Sequence, residues 1–166
     1  VDIHRPDGKP DILQQIEHGV LALLAQHKAV GHAINGIIAP TIAQYTHLGD
    51  AASKTDNLIY YSGLEEGRSD GVNSGTFDDR WAFTNKSTAL NFGSAAALAA
   101  ASRALHGYND ALARECLATA VKVWDEEHIH PPVTYSFGNT TGGSLKDEEL
   151  KASLELLICT KDEKYA

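Results

Sequence analysis

Apolar side chains recur every three or four residues in several stretches of this 166-residue chain, which is the pattern of amphipathic helices. The first stretch predicts a helix over about 11–28. Pro10 can begin this helix, because the first turn needs no backbone N–H there, and Gly31 can end it. Its apolar positions are Ile12, Leu13, Ile16, Val20, Leu23 and Leu24.

Three further helices are predicted at about 87–106, 110–127 and 145–159, and Ser87 can cap the first of them. The middle of 87–106 carries small residues on every face, so neighbouring helices should approach it from several sides. The helix at 110–127 follows after a very short turn, which predicts antiparallel packing. Its apolar stripe consists of Leu112, Cys116, Ala120 and Val123.

Residues 32–86 lack a helical repeat and are rich in glycine, serine, aspartate and asparagine. A loop of this length is uncommon in a compact domain and usually has a function. Two short apolar runs, Ile37-Ile38 and 58–61, predict small strands or turns within it. The predicted fold class is therefore mainly α, an antiparallel helix array with a long loop region at about 32–86.

Length, charge and cysteine content narrow the class of protein. The length suits one domain. The net charge of −8, without a cluster of lysine and arginine, argues against nucleic acid as a partner, but it is compatible with a neutral polysaccharide.

No apolar run approaches the ~20 residues of a membrane span, so no membrane partner is expected. Cys116 and Cys159 occupy apolar helix positions, which predicts two buried thiols rather than a disulfide.

Two features indicate a partial domain. The chain contains no methionine, so it does not begin at a start codon. Residues 160–163 form a capping box, and 164–166 would then be the first turn of a fifth helix. We therefore expect 1–166 to be a single partial domain, one segment of a longer helical array.

Eight histidines raise the question of a metal site. His27 and His32 are five residues apart, whereas a zinc-binding pair on one helix face is four apart. His128 and His130 follow two glutamates, but no third ligand is suitably spaced for either pair. We therefore predict no metal site and no cofactor, and we interpret these residues as solvated histidines near helix ends.

General acid–base chemistry needs two carboxylates that face one bond. The neighbouring pairs Glu126-Glu127 and Glu148-Glu149 are predicted to be solvated, because adjacent helical residues point in different directions. The loop sequence Asp78-Asp79-Arg80-Trp81 places a carboxylate pair beside a cation and an aromatic ring. The structural alternative for this sequence is a local turn with an ion pair.

Three groups of motifs follow one another along the chain: Pro10-Asp11-Ile12-Leu13 at the first helix, 99–104 with Tyr108-Asn109 and 116–120 in the next two, and 147–150 with 160–165 at the end. Together they resemble the motifs of family 9 glycoside hydrolases, the endoglucanase-type cellulases. The resemblance covers nearly the whole chain except 50–80. It implies that the helices form part of an (α/α)6 barrel with an open cleft for a β-1,4-glucan.

The resemblance also implies an inverting mechanism, with a base and an acid carboxylate roughly 6.5–9.5 Å apart. In the family the base comes from a D-A-G-D motif before the first of these helices, and the acid is a glutamate near the C-terminus. Neither motif occurs here, so we expect no catalytic residue in this chain and no activity from it alone. The resemblance to polysaccharide-degrading enzymes predicts a secreted or periplasmic location.

Substrate-binding positions implied by the resemblance are His47, in the loop after the first helix, and Tyr135 and Phe137, before the last one. Sugar rings stack on aromatic faces, so Trp81 is a further candidate. The alternative for each residue is core packing.

The competing hypothesis is a non-catalytic α-helical module that binds glycan or protein, and a metal-dependent hydrolase is a third. A module would bury its helix faces. A barrel fragment should expose an apolar patch and self-associate through its exposed barrel faces.

Overall fold

A computed structural model describes residues 7–38, 55–134 and 143–166. Within these ranges lie the helices α1 (Asp11–Val30), α2 (Thr88–Leu105), α3 (Asp110–His128) and α4 (Leu145–Thr160), and a 3-10 helix at Glu163–Tyr165. The strands are β1 (Ile37–Ile38), β2 (Ile59–Tyr60), β3 (Asn73–Ser74) and β4 (Trp81–Ala82). The mainly α prediction is confirmed.

Capping residues mark the ends of the helices. Gly31 ends α1 with φ 81°, a left-handed conformation that suits glycine. The side chains of Ser87, Asn109 and Ser144 accept hydrogen bonds from the first turns of α2, α3 and α4. At the end of the described chain, the predicted first turn of a fifth helix forms as the 3-10 helix.

The chain divides into two compact units. One, the helical unit, comprises Val1–Asn35 and Thr84–Ala166, and the other, the loop unit, comprises Gly36–Phe83. The prediction of a single partial domain over 1–166 stays a prediction.

Helix α2 is the centre of the helical unit and packs against α1, α3 and α4, as its small residues predict. Helices α2 and α3 run antiparallel, as predicted: Thr88 at the start of α2 bonds Glu127 at the end of α3. Helices α2 and α4 run in the same direction: Gly93 lies beside Glu148 near their N-terminal ends, and Arg103 pairs with Glu155 towards their C-terminal ends. The fully buried core side chains include Leu24, Leu98, Leu105, Cys116 and Leu156.

The loop unit contains two small sheets. Strand β1 pairs antiparallel with β4, placing Ile38 opposite Trp81, and β2 pairs in parallel with β3. The predicted strands at 37–38 and within 58–61 are thus confirmed, whereas β3 and β4 were not anticipated from the sequence.

Two carboxylates contradict the prediction that the helical glutamate pairs are solvated. Glu127 is only 4% exposed and Glu148 only 9%. Each lies on the face of its helix that already carries the apolar core residues. Glu148 fits there because Gly93 and Gly143 make room for it: a Cβ atom added at Gly93 would lie 2.9 Å from its Oε2.

Both cysteines are free thiols, as predicted; Cys116 is buried and Cys159 half-buried. Burial raises the pKa of the Cys116 thiol to about 11. Among the described residues, no helix is both long and apolar enough to cross a membrane.

Candidate functional site

Trp81 is the one sequence-predicted binding residue that falls within the described ranges. It lies in β4 and its side chain is 58% exposed, so the core-packing alternative does not hold for it. The exposed side chains of Ile37, Ile38 and Phe83 belong to the same small sheet or follow it directly. An exposed indole of this kind can offer an apolar face to a sugar ring.

His47, Tyr135 and Phe137 lie outside the described residues. Their predicted roles therefore stay predictions. The nearest described residues to Tyr135 and Phe137 along the chain are Val133 and Thr134.

The carboxylates of Asp78 and Asp79 are engaged by backbone amides. Asp78 Oδ2 accepts a hydrogen bond from the Asp56 N–H (2.6 Å), and Asp79 Oδ2 accepts one from the Tyr60 N–H (2.8 Å). The bonded residues are 22 and 19 positions apart, so these oxygens hold separate parts of the loop backbone together rather than closing a local turn.

A cluster of polar side chains in the helical unit surrounds Glu127. Its Oε2 accepts from Thr88 Oγ1 (2.7 Å), and its Oε1 accepts from Asn91 Nδ2 (2.7 Å) and Lys86 Nζ (2.8 Å). We call Lys86, Thr88, Asn91 and Glu127 the Glu127 network. The signal that could have found it is the apolar stripe of α3, because Glu127 lies four residues after Val123 and continues that stripe.

Opposing effects act on the pKa of Glu127. Burial alone would raise this pKa, but the hydrogen bonds from Lys86, Thr88 and Asn91 and the charge of Lys86 outweigh burial and lower it. The carboxylate is therefore ionised near neutral pH. A carboxylate whose proton is lost this readily is unsuited to the role of a general acid.

The network extends to two neighbouring segments. Asn91 Oδ1 accepts from the N–H of Ala33, just after α1. His130 Nε2 lies 2.8 Å from Lys86 Nζ. Because a lysine ammonium only donates, His130 must accept at Nε2 and carry its proton on Nδ1, which donates to the Pro131 carbonyl (2.9 Å).

A second histidine contact joins His27 Nε2 to Ser94 Oγ at 2.9 Å. Burial, and then the nearby His32, lower the pKa of His27, so the ring is neutral near pH 7. The Ser94 hydroxyl donates to the Asn91 carbonyl (2.8 Å) and accepts from the ring, so this pair is not a nucleophile facing its base. No group of three or more potential ligands able to hold a metal occurs in the described part of the chain.

The sequence model described as "Glycosyl hydrolase family 9" matches residues 12–166. The chain belongs to glycosyl hydrolase family 9. The family resemblance of its motifs is thereby confirmed. No curated protein sequence matches the chain.

One family 9 structure is similar in fold. The crystal structure of a metagenome-derived glycoside hydrolase family 9 endoglucanase superposes with a TM-score of 0.64 at 20% sequence identity. The match covers 96% of this chain and 26% of that one, so this chain spans about a quarter of the endoglucanase. At this identity the likeness concerns the fold alone.

Within this family 9 chain, the buried carboxylates that the structure describes are committed to protein contacts. Glu127 is held as described above, and Glu148 Oε1 pairs with Lys151 Nζ at 2.8 Å. Both carboxylates are thus bound by donors of the protein itself.

Proposed function

We propose that this chain is a segment of the catalytic domain of an inverting endo-β-1,4-glucanase-like glycoside hydrolase that acts on cellulose or related β-glucans. The observation that carries the proposal is the family 9 match over 12–166. The similarity in fold to a family 9 endoglucanase supports it. We further propose a secreted or periplasmic location, where such a polymer would be met.

In this proposal, other parts of the enzyme supply the catalytic carboxylates. Glu127 and Glu148 are occupied by donors, and Asp78 and Asp79 hold backbone amides. The chain alone should therefore release no sugar from β-glucan. Its contribution to the enzyme is scaffold and part of the substrate-binding surface, for which we propose Trp81, His47, Tyr135 and Phe137.

An exposed apolar groove favours a segment of a larger helical assembly over a self-contained module. The groove lies between α1 and α2 and has a volume of about 450 Å³. Its lining contains no charged side chain: Ile16, Gly19, Val20, Leu23, Ala97, Ala100, Ala101 and Ala104. Apolar surface of this kind usually packs against another element. We propose that the isolated chain self-associates through this face, which light scattering would detect as a dimer or larger species.

The test of the proposed activity uses the full reading frame that contains this chain. The purified protein should release reducing ends from carboxymethylcellulose, and proton NMR should show the first product with the inverted anomeric configuration. The 166-residue chain, assayed at the same molar concentration, is the matched control and should release none.

Each outcome decides one part of the proposal. A folded full-length protein that cleaves no β-1,4-glucan would overturn the activity. A product with retained configuration would overturn the inverting mechanism. Glucan binding by the 166-residue chain together with an inactive full-length protein would favour the alternative, a non-catalytic glycan-binding module.

A further inference from the structure

Strand β4 carries Trp81, but the strand is very short. It pairs with β1 over two residues only, Trp81 with Ile38 and Ala82 with Ile37. A two-stranded sheet of this kind is marginally stable on its own. The Trp81 side chain is also exposed, so apolar packing does little to fix it. The position of the indole therefore depends on what holds the segment that enters β4.

The segment that enters β4, residues 77–79, is attached to strand β2 by two contacts with Tyr60. Asp79 Oδ2 accepts a hydrogen bond from the Tyr60 N–H at 2.8 Å, although the two residues are 19 positions apart along the chain. The Tyr60 ring meets the Phe77 ring edge-on, with 4.8 Å between the ring centroids. The backbone and the side chain of one β2 residue thus hold both ends of this segment.

The hydrogen bonds of β2 explain why its Tyr60 amide is available to Asp79. The N–H groups of Ile59 and Tyr61 donate to carbonyls of the segment that contains β3. Since successive N–H groups of a strand point in opposite directions, the Tyr60 N–H points away from β3. A backbone donor on that side of the strand needs an acceptor, and a carboxylate oxygen accepts a stronger bond than a neutral oxygen does.

Asp79 stands two residues before Trp81, so its bond with Tyr60 fixes the backbone directly ahead of β4. We propose that Asp79, by accepting the Tyr60 N–H, is a positioning residue for Trp81, and so for the contact of this indole with β-glucan. The glycan part of this inference rests on the proposed function, whereas the positioning part does not.

The positioning part is tested by fluorine NMR of the full-length protein labelled with fluorotryptophan. The 166 residues contain two tryptophans, Trp81 in the loop unit and Trp124 in the helical unit, and Trp81→Phe and Trp124→Phe assign their signals. Asp79→Leu replaces the carboxylate by an apolar group of similar shape. It should shift the Trp81 signal and leave the Trp124 signal in place. Asp79→Asn keeps an acceptor oxygen and should restore the wild-type Trp81 signal.

Glu66→Leu is the matched control for the fluorine experiment, because it removes an exposed carboxylate from the same unit. It should leave both tryptophan signals unchanged. An unmoved Trp81 signal in Asp79→Leu would overturn the inference. If Asp79→Leu moves the Trp124 signal as much as the Trp81 signal, Asp79 is a general stabiliser, and the inference is equally overturned.

The glycan part is tested by kinetics with cellohexaose in a double-mutant cycle. Trp81→Ala and Asp79→Leu should each raise KM by about tenfold and change kcat by less than about twofold. The double variant should have the KM of Trp81→Ala alone, because Asp79 acts through the indole that is then missing. Asp79→Asn should bring KM back to within about twofold of the wild-type value.

Three kinetic outcomes would contradict the glycan part or the function on which it rests. A rise in KM of about a hundredfold in the double variant would mean that the two residues act independently, and would overturn the link between them. An unchanged KM in Trp81→Ala would overturn the contact of the indole with glycan. If the wild-type protein cleaves no β-glucan at all, the proposed function fails, while the fluorine experiment still decides whether Asp79 positions Trp81.

Discussion

The Glu127 network of the helical unit and the Asp70 turn of the loop unit hold their carboxylates in different ways. In the helical unit, Glu127 bonds Thr88 and Asn91, residues more than 30 positions away along the chain. In the loop unit, Asp70 accepts from the amides of Val72 and Asn73, only two and three residues ahead. The first kind of bond depends on the packing of whole helices, and the second depends mainly on one turn.

This difference predicts how many residues a substitution destabilises. A change in the helical unit should lower the stability of all the helices together, because they share one core. A change in the loop unit should alter a few neighbouring residues and leave the helices protected.

The largest effect should come from Leu98→Ala. Leu98 is fully buried in α2, the helix that packs against α1, α3 and α4. Its loss should lower the free energy of unfolding by about 2–5 kcal/mol, measured by urea denaturation followed by circular dichroism. Ile59→Ala, which truncates an exposed side chain of the loop unit, is the contrast and should change it by less than about 0.5 kcal/mol. Equal losses of unfolding free energy in Leu98→Ala and Ile59→Ala would contradict the expected difference between the two units.

Glu127→Gln should rank second, with a loss of about 1–3 kcal/mol at pH 7, because a donor would replace one acceptor oxygen of a buried carboxylate. The pKa of Glu127 is lower in the folded protein than its ordinary 4.5, so its ionisation stabilises the fold above that pH. This contribution is lost as the pH falls through the folded-state pKa. Urea titrations should therefore show the gap between wild type and variant narrowing below about pH 4.5; a gap independent of pH would contradict this.

The helices were predictable because the 3.6-residue repeat of apolar side chains and the capping serines are local signals. The buried glutamates were not, because residue type alone suggests a solvated side chain. Glu127 continues the α3 stripe four residues after Val123, and Glu148 precedes Ala152 and Leu156 at the same spacing. Position in the stripe thus outweighs charge where a partner is present. Thr88 and Asn91, which bond Glu127, lie more than 30 residues away and could not be seen in sequence, whereas Lys151, which pairs with Glu148, lies only three residues further on.

The candidate site was predictable only in part, for a similar reason. Trp81 was singled out by its residue type and its loop setting; its side chain is exposed, and its role in binding stays a prediction. Strands β3 and β4 are two residues long, too short to show an alternating pattern. The contact of Thr88 with Val133, 45 residues away, could not be predicted from any sequence repeat.

Gly19→Ala should change the free energy of unfolding by less than Glu127→Gln does, and it should raise this energy rather than lower it. Gly19 lies within α1, and a Cβ atom added there would meet no other atom within 4 Å. Alanine restricts the unfolded chain and favours the helix, so the free energy of unfolding should rise by about 0.5–1 kcal/mol in thermal or urea denaturation. Gly31→Ala is the matched control and should destabilise, because Gly31 has φ +81°. A loss of stability in Gly19→Ala would mean that the groove between α1 and α2 is filled when the protein is folded.

The smallest and most local effect concerns Asp70 in the loop unit. Hydrogen bonds from the Asn73 side chain and from the Asn73 and Val72 amides lower the pKa of Asp70 to about 2, from an ordinary 3.8. Whatever stability this carboxylate gives to the turn is therefore present above about pH 3.8 and lost as the pH falls towards 2. In a carbon-13 NMR titration, the Asp70 carboxyl signal and the Val72 and Asn73 amide signals should move together with a midpoint near pH 2, and Asp70→Asn should abolish that transition. If the carboxyl titrates near 3.8 instead, the hydrogen-bonded turn does not form in solution, and the contrast between the Asp70 turn and the Glu127 network is lost.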